Sequence, residues 1–284
     1  MNLLTGMPRD AATLRSAGPV RPGNLLRIAR LDATLLWRNR TALFTVIGMP
    51  LLFAGLLLPA RGQDIGGIDG AVFQGTGHLG FFLILVVFMH LTSVFTARRE
   101  DLTLKRLRGT ALSDVEILGG SVLTAAGMYL VQAVLLLALL VTALDGAFPA
   151  DPLLLLAGLA AGAVIFALLA FAVSGLTPTA ELAQLTVLPV LFGCMAGAGV
   201  MVPLDDAPEA VLEACRLLPL TPVVEIVRTA YFGQDFTVYG AAHPDLGFAE
   251  AWRACLRPFA ILLAWAAIGR MLAARWFRWE PRHS

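Results

Sequence analysis

Six stretches of the sequence are each long and apolar enough to form a helix that crosses a lipid bilayer, which takes about 20 apolar residues. They cover residues 41–60, 77–96, 117–144, 153–177, 182–202 and 258–273. The composition agrees: 58% of the 284 residues are hydrophobic and 14% are charged, whereas a soluble domain carries about 25% charged residues. The sequence therefore predicts an all-α integral membrane protein with six transmembrane helices.

Basic residues are concentrated on one side of these predicted spans. Sixteen of the 21 Lys and Arg residues lie before the first span, between the second and third, or at the end of the chain from Arg270 onward. The positive-inside rule places these segments, and so both termini, in the cytoplasm. The number of crossings is then even, which supports counting the fifth stretch although Pro189 interrupts it. We expect a multi-pass protein of a prokaryotic plasma membrane, with residues 1–40 and 274–284 cytoplasmic and 41–273 forming the membrane domain.

Residues 24–40 have the pattern of an amphipathic helix. At 100° per residue, Arg27, Arg30 and Arg38 share one narrow face, and Leu, Ile and Ala side chains lie opposite. This pattern predicts a helix that rests in the cytoplasmic interface of the membrane beside acidic lipid headgroups. The alternative is a basic flank that only sets the topology.

The segment between the fifth and sixth predicted spans, residues 203–253, is acidic and falls outside the membrane in this topology. It contains two short helical patterns, at 208–217 and 221–232, bounded by Pro or Gly. We interpret it as a helical cap on the extracellular side. The acidity is the complement of the positive-inside bias or, alternatively, attracts cationic cargo. Cys215 and Cys255 could pair as a disulfide if both face the outside.

Motifs for nucleotide binding, metal binding and catalysis are missing from the sequence. A P-loop needs a Gly-rich turn before its Lys, and no such turn precedes Lys105, the only Lys. The four His lack metal-ligand spacing, and no GxSxG elbow occurs. The first five predicted spans contain no Asp, Glu, Lys or Arg that could bind a driving ion. Any uphill transport must therefore draw its free energy from another subunit. The net charge of +1 gives no reason to expect a nucleic-acid partner.

Two GxxxG pairs predict close helix packing. Gly158 and Gly162 lie in the fourth predicted span, and Gly193 and Gly197 lie in the fifth. Small residues at this spacing let helix backbones approach each other. Packing within one chain and packing between two copies both remain open.

The segment from Phe95 to Leu123 reads FTARREDLTLKRLRGTALSDVEILGGSVL. It resembles the signature loop of type-2 ABC export permeases, which reads roughly F-x-x-x-R-E-x-G-T-L-x-R-L-x-x-T-P-L-S-x-x-E-I-L-x-G-K. The matching positions, without a gap, are Phe95, Arg99, Glu100, Thr103, Leu104, Arg106, Leu107, Thr110, Leu112, Ser113, Glu116, Ile117, Leu118 and Gly120. Leu102, Ala111 and Ser121 stand where the family has Gly, Pro and Lys.

Two further segments are similar to the same family. The family often ends a span in Pro and follows it with a short helix, a Pro-Leu-Thr turn and a helix that ends in Leu-Arg. The residues that fit this outline are Pro203, Pro208, Pro219, Leu220, Thr221 and Arg228. The segment RLDATLLWRNRTALF, ahead of the first span, also resembles the family.

The resemblance implies a six-span membrane subunit that works with a separate ATPase. ATP and Mg would be bound by that partner, with no cofactor in this chain. A second permease chain, identical or related, would complete the substrate path through the membrane. Residues 97–116 would form the cytoplasmic coupling loop, and the residues expected to contact the ATPase or transmit its movement are Arg99, Glu100, Leu104, Arg106 and Leu107.

Helical spacing within this loop also predicts which side chains face the protein. Leu102, Leu104 and Leu107 would pack back against the bundle. Arg106, Arg108 and Asp114 would face outward.

The sequence therefore favours the permease subunit of an ABC-type exporter for an amphiphilic compound, such as a drug, an antibiotic or a lipid. This chain would have no catalytic activity of its own. Two alternatives remain: a polytopic membrane enzyme acting on lipid, and a membrane anchor or assembly protein that transports nothing. The enzyme would need clustered Asp, His or Arg near the membrane, and the anchor would have no nucleotide-binding partner.

Overall fold

The computed structural model describes residues 22–38, 40, 44–108, 113–200, 208–238 and 243–277. Five helices in this part are long and apolar enough to cross a membrane: Gly70–Glu100, Asp114–Ala143, Pro152–Leu176, Ala180–Gly197 and Leu256–Trp276. The first predicted span corresponds to a shorter apolar helical run, Phe44–Ala60, and residues 41–43 lie outside the described residues. The all-α membrane class is confirmed, and the sixth crossing stays a prediction.

In the part of the chain that the structure describes, the regular secondary structure is helical apart from one two-stranded antiparallel ribbon, β1 (Asp64–Ile65) and β2 (Ile68–Asp69), and an isolated bridge between Gln234 and Asp245. The helices are α1 (Pro22–Arg38), α2 (Met49–Leu57), α3 (Gly70–Phe82), α4 (His90–Glu100), α5 (Thr103–Arg108), α6 (Asp114–Ala143), α7 (Pro152–Leu176), α8 (Ala180–Gly197), α9 (Glu209–Arg216), α10 (Thr221–Phe232), α11 (Phe248–Ala254) and α12 (Leu256–Trp276). Phe44–Gly48 and Leu83–Met89 are π-helical, and Leu58–Ala60 is a 3₁₀ turn.

Short polar side chains start the long helices. Asp69 accepts a hydrogen bond from the backbone N–H of Ala71 at the start of α3, 2.9 Å away. Asp151 accepts from the N–H of Leu154 at the start of α7, also at 2.9 Å. Such caps satisfy backbone donors that the first turn of a helix leaves free. Because Asp69 provides one, the second span begins at Gly70 and not at residue 77 as the hydropathy alone predicts.

The bundle has two ends, which we name after the segments they carry. The motif end holds α1, α4, α5, the start of α6 and the junction between α7 and α8. The opposite end holds the β ribbon and the loops that follow α6 and α10. The core between them contains fully buried aromatic rings, such as those of Phe82, Phe88 and Phe166. Helices α7 and α12 approach closely at the motif end, where a Cβ on Gly175 would lie 2.0 Å from the carbonyl oxygen of Trp276.

A single amide joins the first apolar run to α6. Gln132 donates a hydrogen bond through Nε2 to the carbonyl oxygen of Thr45, 2.6 Å away. Thr45 belongs to the π-helical turn Phe44–Gly48, and such turns break the regular α-helical bonding pattern and free backbone groups for other partners. Gln132 lies within the third predicted span, and its amide therefore binds two helical segments together.

Helix α1 packs along the first turns of α6. A Cβ on Gly120 would lie 2.5 Å from Cβ of Ile28, so only glycine permits this approach. Thr124 donates a hydrogen bond to the carbonyl oxygen of Ala29, 3.2 Å away. The apolar face of α1 is therefore half-buried against α6. Its arginines at 27, 30 and 38 are exposed, and their contact with lipid headgroups remains a prediction.

Helix α10 is inserted into the bundle. Every residue from Thr221 to Tyr231 is buried. A Cβ on Gly158 of α7 would lie 2.6 Å from Ile226, and one on Gly80 would lie 2.9 Å from Val224. The two short helices expected between the last two spans are present as α9 and α10, but α10 does not rest outside the bundle as a cap. The cysteines at 194, 215 and 255 are free thiols, so the pair considered from the sequence is not bonded.

Candidate functional site

The described parts of the resembling segment lie together at the motif end. Helix α4 ends at Glu100, the chain turns at Asp101 and Leu102, and α5 runs over Thr103–Arg108. Residues 109–112 lie outside the described residues. Helix α6 then begins at Asp114. The expected coupling loop, residues 97–116, thus contains a short helix held between the ends of two long ones.

A capping box starts α6. The Ser113 side chain accepts a hydrogen bond from the backbone N–H of Glu116 at 3.2 Å, and the Ser113 N–H donates to the Glu116 carboxylate at 2.7 Å. Asn24 of α1 donates to the other carboxylate oxygen at 3.0 Å. The S-x-x-E spacing before an apolar run is a sequence signature of this box. The sequence matched Ser113 and Glu116 only to the family motif, and the spacing also explains why both are there.

Asp114 lies within this start of α6 and is 1% exposed. The expectation that it faces outward is therefore wrong. A carboxylate in the first turn of a helix is stabilised by the helix dipole and the free backbone amides. That local advantage outweighs the helical spacing on which the expectation was based.

Arg98 joins three helices through a small polar cluster, which we call the Arg98 cluster: Arg98, Asp32 and Ser121. The Arg98 guanidinium contacts the Asp32 carboxylate at 2.6 Å and the Ser121 hydroxyl at 2.6 Å. Ser121 donates to the second Asp32 oxygen at 3.0 Å. Ser121 stands where the resembled motif has Lys, and the cation beside Asp32 in this chain is Arg98 of α4. The sequence did not single out Arg98 or Asp32, which lie 66 positions apart.

Arg99 is directed into the chain. Its side chain is 2% exposed, and its guanidinium donates to the carbonyl oxygens of Ser174, at 2.6 Å, and of Thr177. These carbonyls end α7, where the backbone leaves acceptors free and the helix dipole favours a cation. Arg99 therefore fastens α4 to the end of α7, and a direct contact with a partner protein would require it to leave this position.

Glu100 holds the neighbouring helix. Its carboxylate accepts a hydrogen bond from the backbone N–H of Ala180, the first residue of α8, at 2.8 Å. The side chain is exposed. Arg99 and Glu100 together bind the C-terminal end of α7 and the N-terminal end of α8, each with the charge that suits that end.

Leu102 occupies the left-handed region of backbone conformation, with φ of 56°. The family has Gly at this position, and Gly adopts that conformation without the steric cost of a Cβ. The Leu102 side chain is 40% exposed. The expectation that Leu102 packs back against the bundle is therefore wrong, because the turn directs its side chain away.

Helix α5 has one buried and one exposed side. Leu104 is fully buried, and Leu107 packs partly buried against the core. Arg106 is exposed. The side chain of Arg108 lies outside the described residues. Leu104 and Leu107 therefore seat α5 on the bundle, and Arg106 is available at the surface of the motif end.

Helix α10 carries two charged residues into the bundle. Arg228 lies with its guanidinium 3.8 Å from the centre of the Phe73 ring and donates to the carbonyl oxygen of Gly199 at 2.8 Å. Glu225 is 8% exposed and its nearest charged partner is Arg216, 3.9 Å away. The sequence placed Arg228 in the family outline but missed Glu225. Pro and Gly bound this helix, so it resembles a surface element in the sequence.

The charges continue from Glu225 to the surface along α9. Glu213 contacts Arg216 at 2.5 Å and Arg257 at 2.7 Å. The hydrogen bond from Arg257, with the Arg216 guanidinium beside it, lowers the pKa of the Glu213 carboxyl. The exposed ion pair between Glu213 and Arg257 contributes little to stability, because water screens it.

The glycine pairs differ in their surroundings. Gly158 packs on Ile226, and Gly162 packs on Leu83 and Val223. This pair therefore lets α10 of the same chain pack closely against α7. A Cβ on Gly197 would lie 2.2 Å from Leu218, whereas one on Gly193 would meet nothing within 4 Å. The face of α8 at Gly193 is open in the isolated chain.

These features define an α-helical multi-pass membrane protein with a short helix, α5, that is packed on one end of its bundle and exposes Arg106. The sequence matches the family described as ABC-2 family transporter protein over residues 66–275. The chain belongs to this family, and it is a membrane permease of the ABC type. No curated protein matches the sequence.

Proposed function

We propose that this chain is the membrane subunit of an exporter that moves an amphiphilic compound, such as a drug, an antibiotic or a lipid, across the plasma membrane of a prokaryote. The energy comes from ATP and Mg bound and hydrolysed by a separate ABC ATPase. Two permease chains, identical or related, enclose the substrate path. Both termini and the motif end face the cytoplasm, where the ATPase binds.

The seating of α5 is the observation that supports this proposal most directly. Buried Leu104 fixes the helix on the bundle, and exposed Arg106 presents a cation at the surface. An ATPase needs a rigid element of this kind to push against. Because its apolar side is packed on the bundle, the six-residue helix holds its exposed side in a fixed place, which suits a docking contact.

Arg99 and Glu100 suit the transmission of that push. They lie immediately before the turn into α5 and are hydrogen-bonded to the ends of α7 and α8. A displacement of α5 would therefore reach two membrane helices through two charged side chains. In this proposal Arg106 contacts the partner, while Arg99 and Glu100 position the helices that respond.

Reconstitution with the ATPase encoded by a neighbouring reading frame tests the function. The purified permease alone should neither bind nor hydrolyse ATP. The complex in proteoliposomes should hydrolyse ATP and move an amphiphilic fluorescent compound in an ATP-dependent way. ATP hydrolysis by the permease alone, free of other ATPases, contradicts the subunit assignment.

Accessibility of inserted tags tests the orientation. Tags at either terminus and at Gly109 should react only from the cytoplasmic side, and a tag at Gly240 only from the outside. A Gly240 tag that reacts from the cytoplasm contradicts the six-span topology, whatever the outcome of the transport assay.

A further inference from the structure

A groove lies between α6, α7 and α12 near the motif end. Its volume is about 440 Å³, which is within the range of pockets that hold small organic ligands. Its apolar walls include Val115, Leu118 and Val122 of α6 and Leu168 and Phe171 of α7. None of the contacts described above for coupling uses this groove.

Among the residues that the structure describes, one charged side chain lines the groove. Arg270 shares a face of α12 with Ala273 and Ala274, which also line it, since residues three and four apart stack on one side of a helix. Arg270 is exposed, and no hydrogen bond or ion pair joins it to any residue within the described ranges. The described part of the groove wall is thus apolar apart from the Arg270 side chain.

The position of Arg270 along its helix is unusual for an unpaired charge. It precedes the end of α12 at Trp276 by six residues, about 9 Å at 1.5 Å per residue. Val122, which lines the same groove, follows Ser121 of the Arg98 cluster. Arg270 therefore lies more than one helical turn inside the end of α12, beside the apolar walls of the groove.

We infer that this groove binds an anionic glycerophospholipid, with an acyl chain against the apolar walls and the phosphate at Arg270. A cation near the hydrocarbon is costly without a counter-charge, and basic pockets between membrane helices bind anionic headgroups. Arg forms paired hydrogen bonds with phosphate oxygens. The site is separate from α5 and does not depend on an ATPase partner.

Lipid binding to the purified full-length chain tests this site. Delipidated protein in mild detergent is titrated with palmitoyl-oleoyl phosphatidylglycerol or with phosphatidylcholine of the same chains, and bound lipid is counted by native mass spectrometry. We expect the anionic lipid to bind about tenfold more tightly, equivalent to one charge-assisted contact. Arg270→Gln should remove this preference and leave phosphatidylcholine binding unchanged.

Arg275→Gln is the matched control, because Arg275 is exposed on the same helix but does not line the groove. It should keep the preference, and Ala273→Phe, which fills the groove, should reduce the binding of both lipids. Equal binding of both lipids to the native chain overturns the inference, as does an equal loss in both arginine variants. Competition by inorganic phosphate at millimolar concentration would also overturn it, because the site would then take a free anion.

Discussion

Arg98 and Asp32 form a salt bridge at 2.6 Å that connects α4 to α1, and their side chains are only 19% and 12% exposed. The link ties the amphipathic N-terminal helix to the same membrane helix that ends in the coupling turn. A shift of α4 would therefore also move α1. The N-terminal helix is therefore packed on the bundle and joined to it by a partly buried ion pair.

Removing one partner of this salt bridge should destabilise the protein. Arg98→Gln should lower the free energy of unfolding in mixed micelles by about 3 kcal/mol, because it leaves Asp32 charged and without its cation in a poorly hydrated place. Arg30→Gln on the exposed face of α1 is the control and should change little. Adding Ser121→Lys to Arg98→Gln places a cation beside Asp32 again, and this double variant should recover most of the stability that Arg98→Gln loses. Failure of this rescue would mean that the ion pair does not hold α1.

Arg99 and Glu100 should differ in their contributions to stability. Arg99→Met should cost about 2–3 kcal/mol, because two carbonyl oxygens at the end of α7 lose a buried charged donor. Glu100→Gln should cost less than about 1 kcal/mol, because the amide oxygen can still accept from Ala180 and the site is exposed. Unfolding in mixed micelles, followed by tryptophan fluorescence, measures both. Equal losses would contradict the different burial of the two side chains.

The strained turn at Leu102 gives a third prediction. A residue with a Cβ in the left-handed conformation costs about 1–2 kcal/mol, and Gly avoids this cost but loses about 0.5–1 kcal/mol in conformational entropy on folding. Leu102→Gly should therefore be more stable than Leu102→Ala by about 1 kcal/mol or less. The Leu side chain is partly exposed, so neither substitution removes a large packing contact. If Leu102→Gly were less stable than Leu102→Ala, the turn would not have the left-handed conformation described above.

The sequence predicted the membrane class, most helices and the bounds of α10, because apolar length and Pro or Gly boundaries act locally. It did not distinguish Arg98 from Arg99. The two are adjacent, yet one binds Asp32 and Ser121 and the other binds the end of α7, 75 and 78 positions away. Their direction is set by neighbours that only the folded bundle brings together. The burial of Glu225 was missed for the same reason.

The turn at Leu102 shows a different limit. The departure from the family's Gly was visible in the sequence, but its cost depends on a φ angle that only the structure gives. Asp114 was assigned to the outside because helical spacing was extended across residues 109–112, whereas a new helix begins after them. A periodic pattern predicts faces only within one helix.

The last prediction concerns coupling through Arg106, and it rests on the proposed function. Arg106 is exposed in the isolated chain, so Arg106→Ala should leave unfolding, membrane insertion and abundance unchanged. In the complex the same side chain would be buried against the ATPase, where truncating one partner of a charged hydrogen bond costs about 2–5 kcal/mol. Transport and substrate-stimulated ATP hydrolysis should therefore fall by about tenfold or more, since each 1.4 kcal/mol corresponds to a factor of ten.

Glu100→Ala separates contact from transmission in the same assay. It removes the bond to the first residue of α8 but leaves the surface around Arg106 intact. The ATPase should therefore still bind with unchanged affinity, while transport falls at least tenfold, again equivalent to about 1.4 kcal/mol or more. Arg106→Ala should instead weaken ATPase binding itself, measured by co-purification. Arg30→Gln on α1, an exposed arginine at the same end, should affect neither quantity. Normal transport in both Arg106→Ala and Glu100→Ala at normal abundance would place the coupling element elsewhere, because neither the exposed cation of α5 nor its link to α8 would then carry the movement.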